Sequence, residues 1–155
     1  MKALQPLTAL LTQTEAERDA AVADHQRAQT AQQTSQAQAE QLLTYRREYE
    51  QRWNGRFATD GKIELVRCYQ GFMERLTQAV ESQARAAEHA AAELERAREV
   101  LLGHEMRVAS VRKLIDRRVA EIHHGAHRRE QKQADELASR AAWSQLAAKG
   151  GQERA

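Results

Sequence analysis

One periodicity limits what this chain can become. Apolar side chains recur in alternating steps of three and four residues through Val66, Tyr69, Met73, Leu76, Val80, Gln83, Ala87, Ala90, Leu94, Ala97, Leu101, His104, Val108, Val111, Ile115, Arg118 and Ile122, changing character only at Gln83, His104 and Arg118. A stripe that keeps a period of about 3.5 residues over that distance stays on one line of the helix instead of drifting round it, and it supercoils left-handed about a second helix. The chain must therefore supply or find a partner helix.

A weaker stripe lies upstream, at Leu4, Leu7, Leu11, Thr14, Arg18, Ala21, His25, Ala28, Gln32, Ser35, Ala39, Leu42, Arg46, Tyr49 and Trp53. The clearest interior punctuation sits between the two, at "NGRFATDG" over residues 54–61, where two glycines, an Asn and an Asp offer positive-φ and capping conformations for a reversal. In an antiparallel hairpin the numbers of facing residues add to a constant. Leu4 faces Ile115, Leu7 faces Val111, Leu11 faces Val108, Ala28 faces Ala90, Leu42 faces Leu76 and Tyr49 faces Tyr69, each pair adding to 118 or 119, with the centre of reflection at Thr59 and Asp60. Polar seam residues meet as well, Thr14 opposite His104 and Ser35 opposite Gln83, so a buried donor finds an acceptor. The expected fold is all-α, a two-helix antiparallel coiled-coil hairpin forming one domain over residues 1–155, with a helix at 4–54, a turn at 55–61 and a helix at 62–149.

The upstream arm is used up at residue 1, opposite roughly residue 118, so residues 118–149 form a C-terminal single-helix overhang, about 45 Å long at 1.5 Å per residue. The overhang includes "HRREQKQADELASR", residues 127–140, a polar helix whose small face holds Ala134, Leu137, Ala138 and Ala141, with Trp143 pointing away from it. Such a helix is marginal in water unless charge pairs or a partner support it. The Ala-to-Ala layers in mid-seam bury little apolar surface, so the hairpin is expected to be slender and moderately stable.

Composition closes off other classes. With 30% charged residues, two Phe and a mean hydropathy of -0.79, the chain lacks the large apolar groups of a deep core. Cys68 is the single cysteine and has no internal disulfide partner; with neither a signal peptide nor a membrane-length apolar run, a reducing cytoplasm is the expected compartment. A net charge of +2 is too balanced for a dedicated nucleic-acid or membrane binder. Residues 112–132 hold 7 basic and 3 acidic groups, yet Asp116, Glu121 and Glu130 are interspersed and no aromatic residue there could stack on a base.

Chemistry-bearing motifs are equally sparse. His123 and His127 in "EIHHGAH" have i,i+4 spacing, but no third ligand completes a metal site, and solvated histidines are the better reading. His25 and His104 belong to the seam, and Cys68 lacks a paired base. Phosphate-cradling, HExxH and G-x-S-x-G motifs are all missing from the sequence, and a hairpin offers no concave pocket. No enzymatic activity, cofactor or metal is expected.

Heptad geometry does suggest a binding surface. With Val66 as position a, the g positions near the turn are Leu65, Phe72 and Ala79 on one arm and Gln38, Tyr45 and Arg52 on the other, side by side in an antiparallel pair. The opposite flank carries Gln36, Leu43, Glu50, Gln70, Thr77 and Ala84 and is more polar. Aromatic residues gathered on one flank, beyond what a two-stranded seam needs, point to a protein-binding surface at Tyr45 and Phe72.

Several segments, in order, resemble one family: "YRREYEQRW" before the turn, "LVRCYQGFMERLTQAVESQ" after it, "VASVRKLIDRR" downstream and "REQKQADELASR" near the end. Together they are similar to the FliJ proteins of the bacterial flagellar type III export apparatus. The resemblance implies a coiled coil like the stalk of rotary ATPases, docking its terminal regions into a hexameric export ATPase and promoting its assembly and activity. It further implies contacts with the cytoplasmic domain of the export gate and with export chaperones, no nucleic-acid partner, a monomer when free, and a place at the cytoplasmic face of the flagellar basal body. Carried onto this chain, ring contacts fall to Leu4, Leu7 and Leu11 and to Arg117, Arg118, Arg128, Arg129, Lys132, Asp135, Glu136 and Leu137. Gate contacts fall to Gln38, Leu42, Tyr45, Tyr49, Phe72, Leu76, Ala79 and Gln83. A generic coiled-coil scaffold that dimerises through the same heptads, or a stalk protein of a virulence secretion system, would share the physics; the motifs tilt the choice to the flagellar family.

Overall fold

The computed structural model describes residues 2–59 and 61–153. A short 3₁₀ turn, Lys2–Leu4, leads into helix α1, Gln5–Phe57, and after a brief connection helix α2 runs Ile63–Glu153. No strand occurs among the described residues. The two helices pack against each other as an antiparallel helical hairpin. Pro6 sits in the first turn of α1, where its missing N–H would have no intrahelical acceptor in any case.

Contacts group the chain into two compact units, Thr14–Arg107 and Met1–Gln13 with Val108–Ala155. In the first, every α1 stripe position is buried or half-buried, as is every α2 stripe position from Val66 to His104, so the three-four pattern is the pattern of burial. Ala21, Leu76, Val80 and Ala87 are its most enclosed apolar residues, two of them alanines, which keeps the gain per layer small. Ser35 and Gln83 meet across the seam as expected: the Gln83 amide nitrogen lies 3.3 Å from the Ser35 carbonyl, 3.4 Å from its hydroxyl and 3.2 Å from Gln38 Oε1. Further along, Glu17 receives both His104 Nδ1 at 4.0 Å and Arg107 at 3.5 Å. These half-exposed contacts contribute little to stability but fix which residues sit opposite.

The turn is tighter than the glycines and Asn54 suggest. Helix α1 continues through Asn54, Gly55 and Arg56 to Phe57, three residues beyond the expected end at residue 54. No described residue, Gly55 and Gly61 included, has positive φ. The cause is aromatic packing: Phe57 lies 5.4 Å from Trp53, one turn earlier, and edge-on to Tyr69 at 5.1 Å, contacts that require helical spacing. Thr59 then ends the arm, donating its amide (3.1 Å) and hydroxyl (3.0 Å) to the Arg56 carbonyl. Lys62 opens α2 by accepting from the Val66 amide at 3.2 Å. The capping role expected of Asp60 lies outside the described residues.

In the second unit Leu4, Leu7 and Leu11 are half-buried, and Val108, at 2% exposure, is the most enclosed side chain of the structure, followed by Val111. Here the seam departs from the sequence stripe. Arg118 is exposed and Val119 takes its place, half-buried with Ile115, Ile122 and Ala126. Two successive steps of four, from Val111 to Ile115 to Val119, follow the helix's own 3.6 period and keep a guanidinium out of an apolar seam. Partial burial thus reaches Ala126, beyond the expected limit at residue 118, and every residue from 127 to 152 is exposed. That free stretch is about 39 Å of single helix. Helix α2 also runs past residue 149 through Gly150 and Gly151.

Candidate functional site

The hairpin's aromatic side chains gather near the turn. On α1, Tyr45, Tyr49, Trp53 and Phe57 follow one another at four-residue intervals, so each ring reaches the next: Tyr45 to Tyr49 at 6.1 Å, Tyr49 to Trp53 at 5.9 Å and Trp53 to Phe57 at 5.4 Å. From α2, Tyr69 stacks on Tyr49 at 6.3 Å and meets Trp53 at 5.7 Å, while Phe72 tilts against Tyr49 at 4.3 Å. Tyr49 is the hub, touching rings on both helices. Such pairs add to area burial and hold these side chains in fixed positions. The Tyr69 hydroxyl is pushed above the usual phenol range, first by burial and then by the nearby Glu50 carboxylate and Tyr49, with Arg46 opposing, so Tyr69 stays neutral at ordinary pH.

The eight residues assigned to the gate fall into distinct settings. Tyr45 is 47% exposed, and Gln38 and Ala79 are also exposed. Leu42, Tyr49, Phe72 and Gln83 are half-buried, and Leu76, at 7% exposure, lies in the seam. The fold brings Tyr45, Tyr49 and Phe72 into one cluster and joins Gln38 to Gln83 by a hydrogen bond. On the opposite flank Leu43 is about as exposed as Tyr45, so exposed apolar surface is not confined to one side. Arg52, Trp53, Arg56, Phe57 and Tyr69 also belong to the cluster or border it. The signal for the α1 rings was in the sequence as the four-residue ladder of aromatics, a spacing the heptad bookkeeping splits between different positions.

The residues assigned to the ring lie on the second unit. Leu4, Leu7 and Leu11 are half-buried in the paired part, whereas Arg117, Arg118, Arg128, Arg129, Lys132, Asp135, Glu136 and Leu137 are all exposed. Arg118 pairs with Glu121 at 3.4 Å, and Arg129 Nε donates to the Gly125 carbonyl at 3.4 Å. Among the described residues no charged side chain beyond Glu121 makes an ion pair. Gln133, Glu136, Leu137 and Arg140 line a groove of about 260 Å³ on this helix. Further on, Trp143, 74% exposed, and Leu146 stand on the same side at i,i+3 spacing.

No group of three or more potential metal ligands occurs among the described residues, and no described helix is long and apolar enough to cross a membrane. The geometry defines a class: a helical coiled-coil hairpin with an aromatic surface near its turn in one unit and, in the other, a polar helix exposed from residue 127 to residue 152. A sequence model of the flagellar FliJ protein family matches residues 1–147. The chain belongs to that family and so is a component of the flagellar export apparatus. No curated protein and no solved structure matches the chain.

Proposed function

We propose that this protein is a stalk-like subunit of the flagellar export apparatus that enters the hexameric export ATPase, promotes its assembly and hydrolysis, and links it to the export gate and export chaperones. The observation that carries the reading is the free helix. Over residues 127–152 every side chain is exposed, and no charged one has an ion-pair partner. A helix of that length with nothing buried and no pairs is marginal alone, so a partner that surrounds it supplies the missing contacts. Its small side chains, Ala134, Ala138 and Ala141, suit a narrow opening, and Arg128 and Lys132 suit acidic loops lining it. Leu4, Leu7 and Leu11 stiffen the paired helices beside it.

The gate would bind the surface around Tyr45 and Phe72, where rings fixed by their neighbours lose little freedom on docking. Gln38, Leu42, Tyr49, Leu76, Ala79 and Gln83 would frame that surface, with Leu76 acting from inside the seam.

The test is ATP hydrolysis by the cognate hexameric export ATPase with the intact protein and with a form ending at Ala126. Stimulation by the intact chain that disappears with the truncated one is expected. Equal stimulation by both would remove the free helix from the ring, and none by either would refute the stalk.

A further inference from the structure

Bordering the gate surface and sharing Tyr49 with it, the turn-proximal part of α1 holds a groove whose Arg52, Trp53 and Arg56 the stalk reading does not use. Tyr49, Arg52, Trp53 and Arg56 line it, with a volume of about 420 Å³. Their spacing, i, i+3, i+4 and i+7, places all four on one face of the helix. Arg56 lies over the Trp53 ring, 5.7 Å from its centroid, and neither Arg52 nor Arg56 has a carboxylate partner among the described residues. A guanidinium over an indole face is attracted to the ring while its N–H donors remain available to a carboxylate, which can accept two at a time. Arg56 has a local explanation, since it sits in the last turn of α1, where a cation complements the helix dipole. Arg52, a full turn earlier, has Glu48 four residues before it but makes no ion pair with it.

From this arrangement we propose that the Arg52–Trp53–Arg56 groove is a docking site for an acidic protein segment, one that presents two carboxylates about a helical turn apart beside a bulky apolar or aromatic side chain. The carboxylates pair with the two guanidiniums, and the apolar group lies against Trp53 and Tyr49. Charge decides the class of partner. The next groove along α1 is lined by Ala37, Glu40, Gln41, Thr44, Tyr45 and Glu48, so a cationic patch is followed within one turn by carboxylates. An extended polyanion, whether a nucleic-acid backbone or an anionic lipid surface, would meet Glu48 beside Arg52 and be repelled. A protein segment can be acidic over just the length the groove requires. The proposal does not depend on the stalk reading.

The experiment uses the full chain carrying Trp143→Phe, so that Trp53 is the only tryptophan, with fluorescence excited where tyrosine does not absorb. The probe is a random glutamate–tyrosine copolymer, which offers carboxylates interleaved with aromatic rings; polyglutamate, polyuridylate and vesicles containing phosphatidylglycerol serve as comparisons. A saturable change in Trp53 emission with the copolymer is expected, weaker with polyglutamate. Adding Arg52→Gln and Arg56→Gln, both exposed and therefore compatible with the fold, should weaken binding roughly tenfold or more, as the loss of two charge-assisted contacts requires. Arg85→Gln, at an exposed position outside both proposed binding surfaces, should leave it unchanged. No response of Trp53 to the copolymer, equal binding by the doubly substituted protein, or equally tight binding of polyuridylate or vesicles would each overturn the proposal.

Discussion

Gln83 is the residue whose replacement best tests how the hairpin is aligned. Its amide nitrogen has two protons and three acceptors on α1, at 3.2, 3.3 and 3.4 Å, so it makes at most two full-strength bonds, one of them shared between the Ser35 carbonyl and hydroxyl. A net hydrogen bond is worth about 0.5–1.5 kcal/mol. Gln38 is exposed and Ser35 half-buried, so water replaces part of what is lost, and Gln83→Ala should cost about 1–2 kcal/mol. With a urea slope of about 1–2 kcal/mol per molar, the midpoint followed by far-UV circular dichroism falls by about 1 M. A cycle with Gln38→Ala should return a coupling of about 0.5 kcal/mol or more, because the two amides bond directly. Gln83→Glu is a sharper variant. It removes both donors and sets a carboxylate against the Ser35 carbonyl and Gln38 Oε1, which raises the introduced group's folded-state pKa. The folded protein then favours the protonated form, and the penalty grows as pH rises through the ordinary glutamate range near 4.3. A loss below about 0.3 kcal/mol for Gln83→Ala with strict additivity in the cycle, or a Gln83→Glu penalty independent of pH, would refute a seam contact at this position.

Ending the chain at Ala126 should leave the urea midpoint unchanged, since residues 127–152 bury nothing, while amides in that stretch of the intact protein exchange with solvent far faster than those flanking Val108; a marked drop in midpoint would mean that the free helix packs on the hairpin. Val108→Ala, at the most enclosed position, should cost about 1.5–3 kcal/mol by equilibrium unfolding, and a cost under about 0.5 kcal/mol would show an accommodating seam. In an alkaline titration followed by tyrosinate absorbance, Tyr69→Phe should remove a transition lying above the ordinary phenol value near 10. Because the Tyr69 pKa is raised in the folded state, its contribution to stability is complete below the unfolded phenol value near 10 and is lost as pH rises through the folded one. Loss of a transition at or below that ordinary value would contradict this.

How much of the molecule the sequence carried can be judged residue by residue. Ser35 and Gln83, separated by 48 residues, were paired by register alone, and so were Tyr49 and Tyr69. Heptad arithmetic works there because a two-helix seam is a one-dimensional object: once spacing and turn position are known, every facing pair follows. It failed at Arg118, where the helix reverts to its natural 3.6 period, and at Gly55, where ring contacts of Trp53, Phe57 and Tyr69 outweigh a glycine's modest preference for ending a helix.

The sequence by itself determined the hairpin and its register, since both follow from the period of apolar residues and the position of the turn. Only the tertiary structure decided which side chains remain free for partners. It half-buried Phe72 against Tyr49, joined Gln83 to Gln38, turned Val119 inward in place of Arg118, and left Arg52 and Arg56 beside Trp53 without a carboxylate partner among the described residues. The physical reason is that periodicity fixes a residue's direction on its helix, whereas availability depends on which atoms of the other helix arrive there, and that is settled by packing.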